Sequence, residues 1–213
     1  MKKNSGFWIL GGLAGAAIVL ILVSNFLNAS PVSNEVAAPI ALSADDHKKG
    51  AENSQVILIE YLDFECEACG AYYPLVKKME AEFGDRITFV ARYFPLQGHR
   101  NGVPAAHAVE AASRQGKFWE MHDILYERQK DWGEKQVATP EVFEAYAQEL
   151  GLDMDKFKAD VGSPDVAARV KRDMDEGIQL GVKSTPTFFL NGNKLANPQS
   201  EEAFRSILQN ALQ

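Results

Sequence analysis

Two cysteines separated by two residues stand where the sequence changes from a strand pattern to a helix pattern. Cys66 and Cys69 are the only cysteines among the 213 residues. The run Val56-Ile-Leu-Ile59 before them, rich in β-branched residues, is typical of a strand. After them, apolar residues recur at the helical spacing of three and four, at Tyr72, Leu75, Val76 and Met79. The pattern therefore predicts that Cys66 begins a helix and that Cys69 lies one turn further on.

This position has a chemical consequence for Cys66. The first amides of a helix have no intrahelical partner, and the helix dipole makes that end partly positive. Because a thiolate is stabilised there, the pKa of Cys66 is expected to lie below the ordinary value of about 8.5. Cys69, one turn away, can then attack a mixed disulfide formed on Cys66. The spacing predicts a redox-active pair, with Cys66 as nucleophile and Cys69 as resolving thiol.

Two other uses of the pair are less well supported. A structural zinc site needs four nitrogen or sulfur ligands, and the sequence has no second pair of cysteines. The scattered histidines His99, His107 and His122 have no spacing typical of a metal site. A purely structural disulfide across so short a loop would constrain the unfolded chain very little. We therefore predict no metal and no other cofactor.

The sequence around Cys66 and Cys69, together with residues 184–189 far downstream, resembles the DsbA-like thiol–disulfide oxidoreductases of the thioredoxin superfamily. The matching residues are Glu60, six before Cys66, then Phe64, and the block Ser184-Thr185-Pro186-Thr187-Phe188-Phe189. Residues 116–123 are similar to part of the family's helical insertion.

The resemblance covers residues 55–213. It implies an α/β, thioredoxin-like fold with a helical subdomain inserted at about residues 104–181. The segment 55–213 is accordingly predicted to be one DsbA-like thioredoxin domain.

The resemblance also implies roles for three residues outside the cysteine pair. Glu60 matches the buried acid that exchanges protons with the second thiol, and burial would raise its pKa. Pro186 matches a proline that follows a cis peptide bond and faces the cysteines. The backbone of Thr185 would then be free to pair with an extended substrate segment.

The resemblance favours an enzyme that exchanges its disulfide with the thiols of exported proteins, acting as an oxidase. It further implies a quinone-linked membrane partner that reoxidises the cysteine pair. Threonine before the cis-proline also occurs in isomerases, so a reductase or isomerase stays open. A redox-inert thioredoxin-like binding module is a different class of function, and the presence of both cysteines and Glu60 argues against it.

Residues 1–28 are predicted to be a signal anchor. Lys2 and Lys3 precede Phe7–Val23, seventeen residues without a polar side chain. This run is longer than the apolar region of a cleavable signal, about 7–15 residues, and favours a retained transmembrane segment. Positive charges before the span place the N-terminus in the cytoplasm, so the catalytic domain is expected outside the cytoplasm, at the cell membrane.

Residues 29–54 are rich in Ala, Pro, Ser and charge, and they predict a linker between the anchor and the domain. Asp45–Lys49, within this linker, is predicted to be a solvated charge run. The net charge of −7 and the absence of a basic patch argue against binding to nucleic acid.

Overall fold

The computed structural model describes residues 40–135 and 137–213. The predicted anchor at residues 1–28 and the first part of the predicted linker lie outside the described residues. Within the part that is described, no helix is both long and apolar enough to cross a membrane.

A mixed β-sheet forms the centre of the described chain, with the strand order β1-β3-β2-β4-β5. Strands β2 and β3 are parallel, and the other neighbouring strands are antiparallel. The strands are β1 His47–Gly50, β2 Val56–Leu62, β3 Ile87–Tyr93, β4 Thr187–Leu190 and β5 Asn193–Lys194. Strand β2 is central, and its nearly continuous apolar sequence fits a strand that is covered on both faces.

Most helices lie between β3 and β4 in the chain, so the sheet is built from two groups of strands that are separated in sequence. The helices are α1 Glu67–Phe83, α2 Gly102–Ser113, α3 Phe118–Glu127, α4 Gln129–Trp132, α5 Pro140–Glu149, α6 Met154–Val161, α7 Pro164–Gln179 and α8 Glu201–Ala211. Helices α2 to α7 all lie between β3 and β4 in the chain. They occupy the stretch predicted as a helical insertion, and the observed helices begin at Gly102 and end at Gln179.

One face of the sheet packs against α1 and α8. Leu58 of β2 is buried in a cluster with Val76 and Met79 of α1 and Phe204 of α8. Side chains along a strand alternate between the two faces, so Glu60 points to the same face as Leu58. The carboxyl of Glu60 therefore lies on the side of the sheet that α1 covers.

The helical subdomain meets the sheet at the cysteines. Cys66 and Cys69 belong to a buried cluster that includes Met121, Leu125 and Tyr126 of α3. The start of α1 is thus packed between the sheet and the inserted helices.

The predicted linker, residues 29–54, is wrong at its C-terminal end. His47–Gly50 forms β1 and pairs antiparallel with β3. Asp46, predicted to be solvated, is only 7% exposed, and the Arg92 guanidinium donates to it at 3.0 and 2.8 Å. A short polar edge strand has no apolar period, so its sequence resembles a linker. The burial of Asp46 depends on the distant Arg92, which the local sequence does not show.

Candidate active site

Cys66 stands at the entrance to α1, and Cys69 lies inside its first turn. Cys66 is the N-cap residue, with extended backbone angles of φ −68° and ψ 118°. The two residues are 8% and 1% exposed, and both are free thiols. The predicted helix start is confirmed, and of the two sulfurs that of Cys66 is the more accessible.

The surroundings of Cys66 favour its thiolate. A hydrogen bond from the Cys69 thiol is the largest cause that lowers its pKa, and partial burial opposes this effect. Thr185 and the backbone amides of Ala68 and Cys69 lower it further. The result is a pKa of about 5 for Cys66. The prediction of a depressed pKa is confirmed, although the neighbouring thiol contributes more than the helix end.

Cys69 is shifted in the opposite direction. Burial raises the pKa of its thiol well above the ordinary value. Donation of its hydrogen bond to Cys66 and the nearby Glu60 carboxyl raise it further. Cys69 is therefore a protonated thiol at neutral pH, and it needs a base before it can attack a disulfide.

Glu60 lies beneath the cysteines in the central strand. Its backbone pairs with Ala91 on one side and Phe188 on the other. Its side chain lines a cavity of about 20 Å³. Burial, and then the negative charges of Glu80 and Cys66, raise the pKa of Glu60 to about 8. Such a carboxyl can give up or accept a proton near neutral pH.

Thr185 and Pro186 face Cys66 across the site. The Thr185–Pro186 peptide bond is cis, as predicted. The Cys66 thiol lies 3.4 Å from the carbonyl oxygen of Thr185. The structure thus brings together all five residues that the sequence singled out, which are Glu60, Cys66, Cys69, Thr185 and Pro186.

Two acidic residues that sequence reasoning did not assign to the site hold the loop between β2 and α1. The Asp63 carboxylate accepts hydrogen bonds from the amides of Glu65 and Leu96 at 2.9 and 2.8 Å. The Nδ1 atom of His99 lies 2.5 Å from the same carboxylate. The Glu65 carboxylate accepts from the amides of Asn101 and Glu134 at 2.6 and 3.0 Å. These bonds tie the cysteine loop to the segment after β3 and to the helical subdomain.

Gln129 was also missed. Its side-chain amide donates to the carbonyl oxygens of Phe64 and Cys66 at 2.7 and 2.9 Å. The available signals were two acidic residues just before the motif, Asp63 and Glu65, and one polar residue, Gln129, in step with an apolar helix face.

The histidines differ in location and burial. His99 lies beside the site through its contact with Asp63. His122 is only 5% exposed and lines the same cavity as Glu60. Among the residues that the structure describes, no group of three or more His, Cys, Asp or Glu is arranged to hold a metal ion.

The sheet is mixed, and the Cys-x-x-Cys pair lies at the start of α1 opposite a cis-proline. This combination defines a thioredoxin-like protein. The model of the Thioredoxin family matches residues 43–210. The chain therefore belongs to this family, and the matched region includes the short strand β1.

Curated relatives match the chain over part of their own length. A protein from Herminiimonas arsenicoxydans named Na(+)/H(+) antiporter NhaA is 38% identical over 164 residues. The match covers 77% of this chain and 25% of that protein. The chain thus spans about a quarter of the length of this relative, and the next ones are matched over similar shares.

Solved structures share the fold over nearly their whole length. BdbD from Bacillus subtilis, in its oxidised form, has a TM-score of 0.72 and 21% identity, with 83% of this chain and 98% of that chain covered. Wolbachia pipientis alpha-DsbA1 has a TM-score of 0.71 and 18% identity, with 81% and 94% covered. A thioredoxin-like oxidoreductase from Silicibacter pomeroyi has a TM-score of 0.68 and 23% identity, with 79% and 93% covered. At these identities the likeness establishes the fold alone.

Proposed function

We propose that the chain is a thiol–disulfide oxidoreductase that oxidises the thiols of exported proteins. The observation that carries this proposal is the position of the two thiols, with Cys66 at the N-cap of α1 beside Thr185 and Cys69 buried in the first turn. Cys66 is a thiolate at neutral pH, whereas Cys69 keeps its proton beside Glu60. This division of roles between nucleophile and resolving thiol is what disulfide exchange requires. The similar fold of a protein described as a thiol–disulfide exchange protein, alpha-DsbA2 from Wolbachia pipientis, agrees with it.

The first step breaks the Cys66–Cys69 disulfide of the oxidised enzyme. A substrate thiolate attacks the sulfur of Cys66, and a mixed disulfide forms between substrate and Cys66. Cys69 leaves as a thiolate and takes a proton from the neutral carboxyl of Glu60. The backbone of Thr185 pairs with the substrate segment and holds its cysteine near Cys66.

The second step releases the oxidised substrate. A second substrate thiolate attacks the substrate sulfur of the mixed disulfide, so that a substrate disulfide forms and Cys66 leaves as a thiolate. Two electrons have then passed from the substrate to the enzyme, which ends with both cysteines reduced. A membrane-bound disulfide partner linked to a quinone would take up these electrons and restore the Cys66–Cys69 bond.

The low pKa of Cys66 favours the oxidising direction. With a pKa of about 5, ionisation at pH 7 stabilises the reduced form by about 2.7 kcal/mol, or roughly 60 mV. A disulfide whose reduced form is stabilised is the stronger oxidant. The reductase or isomerase alternative keeps one specific observation in its favour, the threonine at position 185 before the cis-proline.

Oxidation of a model peptide with two thiols tests the proposal. The oxidised full-length chain should convert this peptide to its disulfide form, and Cys66→Ser should abolish the reaction. Equilibration with glutathione redox buffers then gives the reduction potential. We expect a value above that of thioredoxin, about −270 mV, and towards that of DsbA, about −120 mV. A potential at or below −270 mV would favour the reductase instead.

We also propose that residues 1–28 anchor the protein in the membrane, with the catalytic domain outside the cytoplasm. The support is the order of Lys2, Lys3 and the apolar run Phe7–Val23. Cell fractionation should recover the chain with the membranes, and its N-terminal residues should be intact. Recovery in the soluble exported fraction with a new N-terminus near Ser30 would refute the anchor.

A further inference from the structure

The cavity beneath the cysteines holds a second carboxylate. Glu80 of α1 lines the same cavity of about 20 Å³ as Glu60. This volume is enough for about one water molecule. The side chain of Glu80 is 9% exposed, so a carboxylate here needs a partner.

Strand β1 supplies that partner. The ammonium of Lys49 lies 2.6 Å from the Glu80 carboxylate and is 25% exposed. Lys49 also lies over the ring of Trp119, 4.3 Å from its centroid. The ion pair of Lys49 and Glu80 therefore connects the buried cavity with the protein surface.

The proposed exchange reaction needs such a connection. In each catalytic cycle Glu60 gives a proton to Cys69 or takes one from it, and it must then exchange a proton with solvent. Glu60 itself sits in the central strand, between β3 and β4. Its side chain is half-buried, and the cavity that it shares with Glu80 is its path to solvent.

Other ionisable groups also surround the two carboxylates. Around Glu60 lie Cys66 and Cys69, which are the groups it serves, and Tyr126, whose pKa is raised well above the ordinary value. Around Glu80 lies His122, whose pKa is lowered by burial and whose Nδ1 atom lies 2.9 Å from the Asp123 carboxylate. Lys77 lies 4.0 Å from Glu80 and is bound to Asp123 at 2.6 Å.

We propose that Glu80, held by Lys49, passes protons between Glu60 and solvent and so sets the rate at which Cys69 can react. This inference rests on the proposed function, because it concerns the proton that Cys69 loses or gains. Glu80 acts through Glu60 and is a positioning residue and proton carrier rather than a group that contacts the reacting sulfurs.

The test follows the attack of Cys69 on a mixed disulfide. Reduced full-length chain in detergent is mixed with 5,5′-dithiobis(2-nitrobenzoate), which forms a mixed disulfide on Cys66 and releases one coloured thiolate. Cys69 then attacks the Cys66 sulfur, loses its proton to the Glu60 carboxylate, and releases the second coloured thiolate. The rate of the second release, measured from pH 5 to 10 by stopped-flow absorbance, reports the ionisation of Glu60.

Two variants should shift this pH profile in opposite directions. Glu80→Gln removes a negative charge near Glu60, so the midpoint should move down by about one pH unit. Lys49→Met keeps the contact with Trp119 but leaves Glu80 uncompensated, so the midpoint should move up. Below the midpoint, where the Glu60 carboxyl must first lose its proton to solvent, the second release in Glu80→Gln should also be about tenfold slower than the shifted midpoint alone would give, because a proton carrier is lost.

Glu82→Gln is the matched control. Glu82 lies on the same helix and forms an ion pair with Arg205 at 2.8 Å, outside the cavity. The Glu82→Gln substitution should leave the midpoint of the pH profile and the rate of the second release unchanged. Profiles of Glu80→Gln and Lys49→Met that coincide with this control would overturn the inference. If Glu80→Gln does not fold, the upward shift in Lys49→Met decides alone.

The same experiment distinguishes a failure of the proposed function from a failure of the role of Glu80. If the unmodified chain releases no second thiolate, Cys69 does not resolve mixed disulfides, and the proposed function fails together with the inference. If the unmodified chain is active and the cavity variants match Glu82→Gln, only the role of Glu80 is overturned.

Discussion

Cys66 and Cys69 differ in ionisation chiefly because Cys69 is buried and its thiol donates a hydrogen bond to Cys66 at the start of helix α1. Cys66 faces Thr185 and the first amides of the helix, which stabilise its thiolate. Cys69 is buried against Glu60, and its thiol donates to Cys66. The hydrogen bond between the two sulfurs therefore lowers one pKa and raises the other.

This coupling predicts how Cys66 responds to changes at position 69. The alkylation rate of Cys66 by iodoacetamide should follow a titration with a midpoint near its pKa of about 5. Cys69→Ala removes the donor and should raise the midpoint by about one unit. Cys69→Ser keeps a donor and is the control that should leave the midpoint nearly unchanged. Preferential labelling of Cys69 in the unmodified chain would contradict the assignment.

Gly70 allows Gln129 to reach the cysteine loop. A Cβ atom at position 70 would lie 2.2 Å from the side-chain oxygen of Gln129. Gly70→Ala should therefore displace Gln129 from the carbonyls of Phe64 and Cys66 and destabilise the chain by about 1–2 kcal/mol. In a Gln129→Ala background the same substitution should stabilise by about 1 kcal/mol, because alanine is favoured inside a helix.

Urea unfolding of the four proteins of this cycle measures both effects. The change of sign between the two backgrounds is the diagnostic result. Equal effects of Gly70→Ala in both backgrounds would mean that Gln129 does not depend on the glycine.

For individual residues, the sequence predicted those that perform the chemistry better than those that support them. The spacing of Cys66 and Cys69 at a change of pattern was sufficient to place them, and the family resemblance singled out Glu60. Asp63 and Glu65 were missed because their partners are backbone amides of distant segments, which have no sequence signature. Such contacts become visible only once the chain has folded.

Strand β1 is held in place by tertiary contacts. It is a four-residue edge strand, and the buried Asp46 before it is bound to Arg92 of β3, with side-chain exposures of 0% and 1%. Arg92 also donates to the Tyr61 hydroxyl and to the carbonyl of Ala41. The guanidinium thus fixes the chain that leads into β1, the strand that carries Lys49.

Breaking this ion pair should destabilise the fold strongly. Asp46→Ala leaves the Arg92 charge buried without its carboxylate, and loss of one partner of a buried pair typically costs about 3–5 kcal/mol. Because Arg92 keeps other partners, we expect the lower end, about 3 kcal/mol. Asp85→Ala is the matched control, since Asp85 pairs with Arg86 at 79% exposure, and it should cost less than about 1 kcal/mol. Similar unfolding midpoints in urea for the two variants would contradict this account.

The predicted and observed elements agree where periodicity is strong and differ where it is absent. Apart from the four-residue α4, helices α2 to α7 have apolar residues at helical spacing. The predicted start and end of this region lie within two residues of the observed ones. Strand β1, with the sequence His-Lys-Lys-Gly, alternates between half-buried and exposed residues without an apolar face. Its pairing with β3 could not be inferred from its own residues.

For the whole molecule, two groups of the active site affect stability in opposite ways as the pH changes. The depressed pKa of Cys66 stabilises the folded reduced form at high pH, and this contribution is lost as the pH falls through about 5. The raised pKa of Glu60 favours the folded form at low pH, where its carboxyl is neutral. This second contribution is present below about 4.5 and is lost as the pH rises through about 8.

Glu60→Gln should therefore stabilise the reduced chain in a pH-dependent way. Glutamine cannot ionise, so the variant avoids the cost of a buried carboxylate, and the gain over the unmodified chain should be near zero at pH 4. It should grow to about 3–4 kcal/mol by pH 7–8, because each unit of pKa difference between the folded and unfolded states is worth about 1.4 kcal/mol. The same variant should resolve mixed disulfides more slowly, since Cys69 loses its base.

Urea unfolding of the two reduced proteins at pH 4, 6 and 8 measures this gain, with Glu82→Gln as a control that should show no trend with pH. A Glu60→Gln gain of the same size at pH 4 and pH 8 would show that the substitution acts through packing and that the Glu60 pKa is not raised. A gain that grows with pH, together with slower resolution, would mean that the stability lost by ionising Glu60 is tied to its use as the proton acceptor of Cys69.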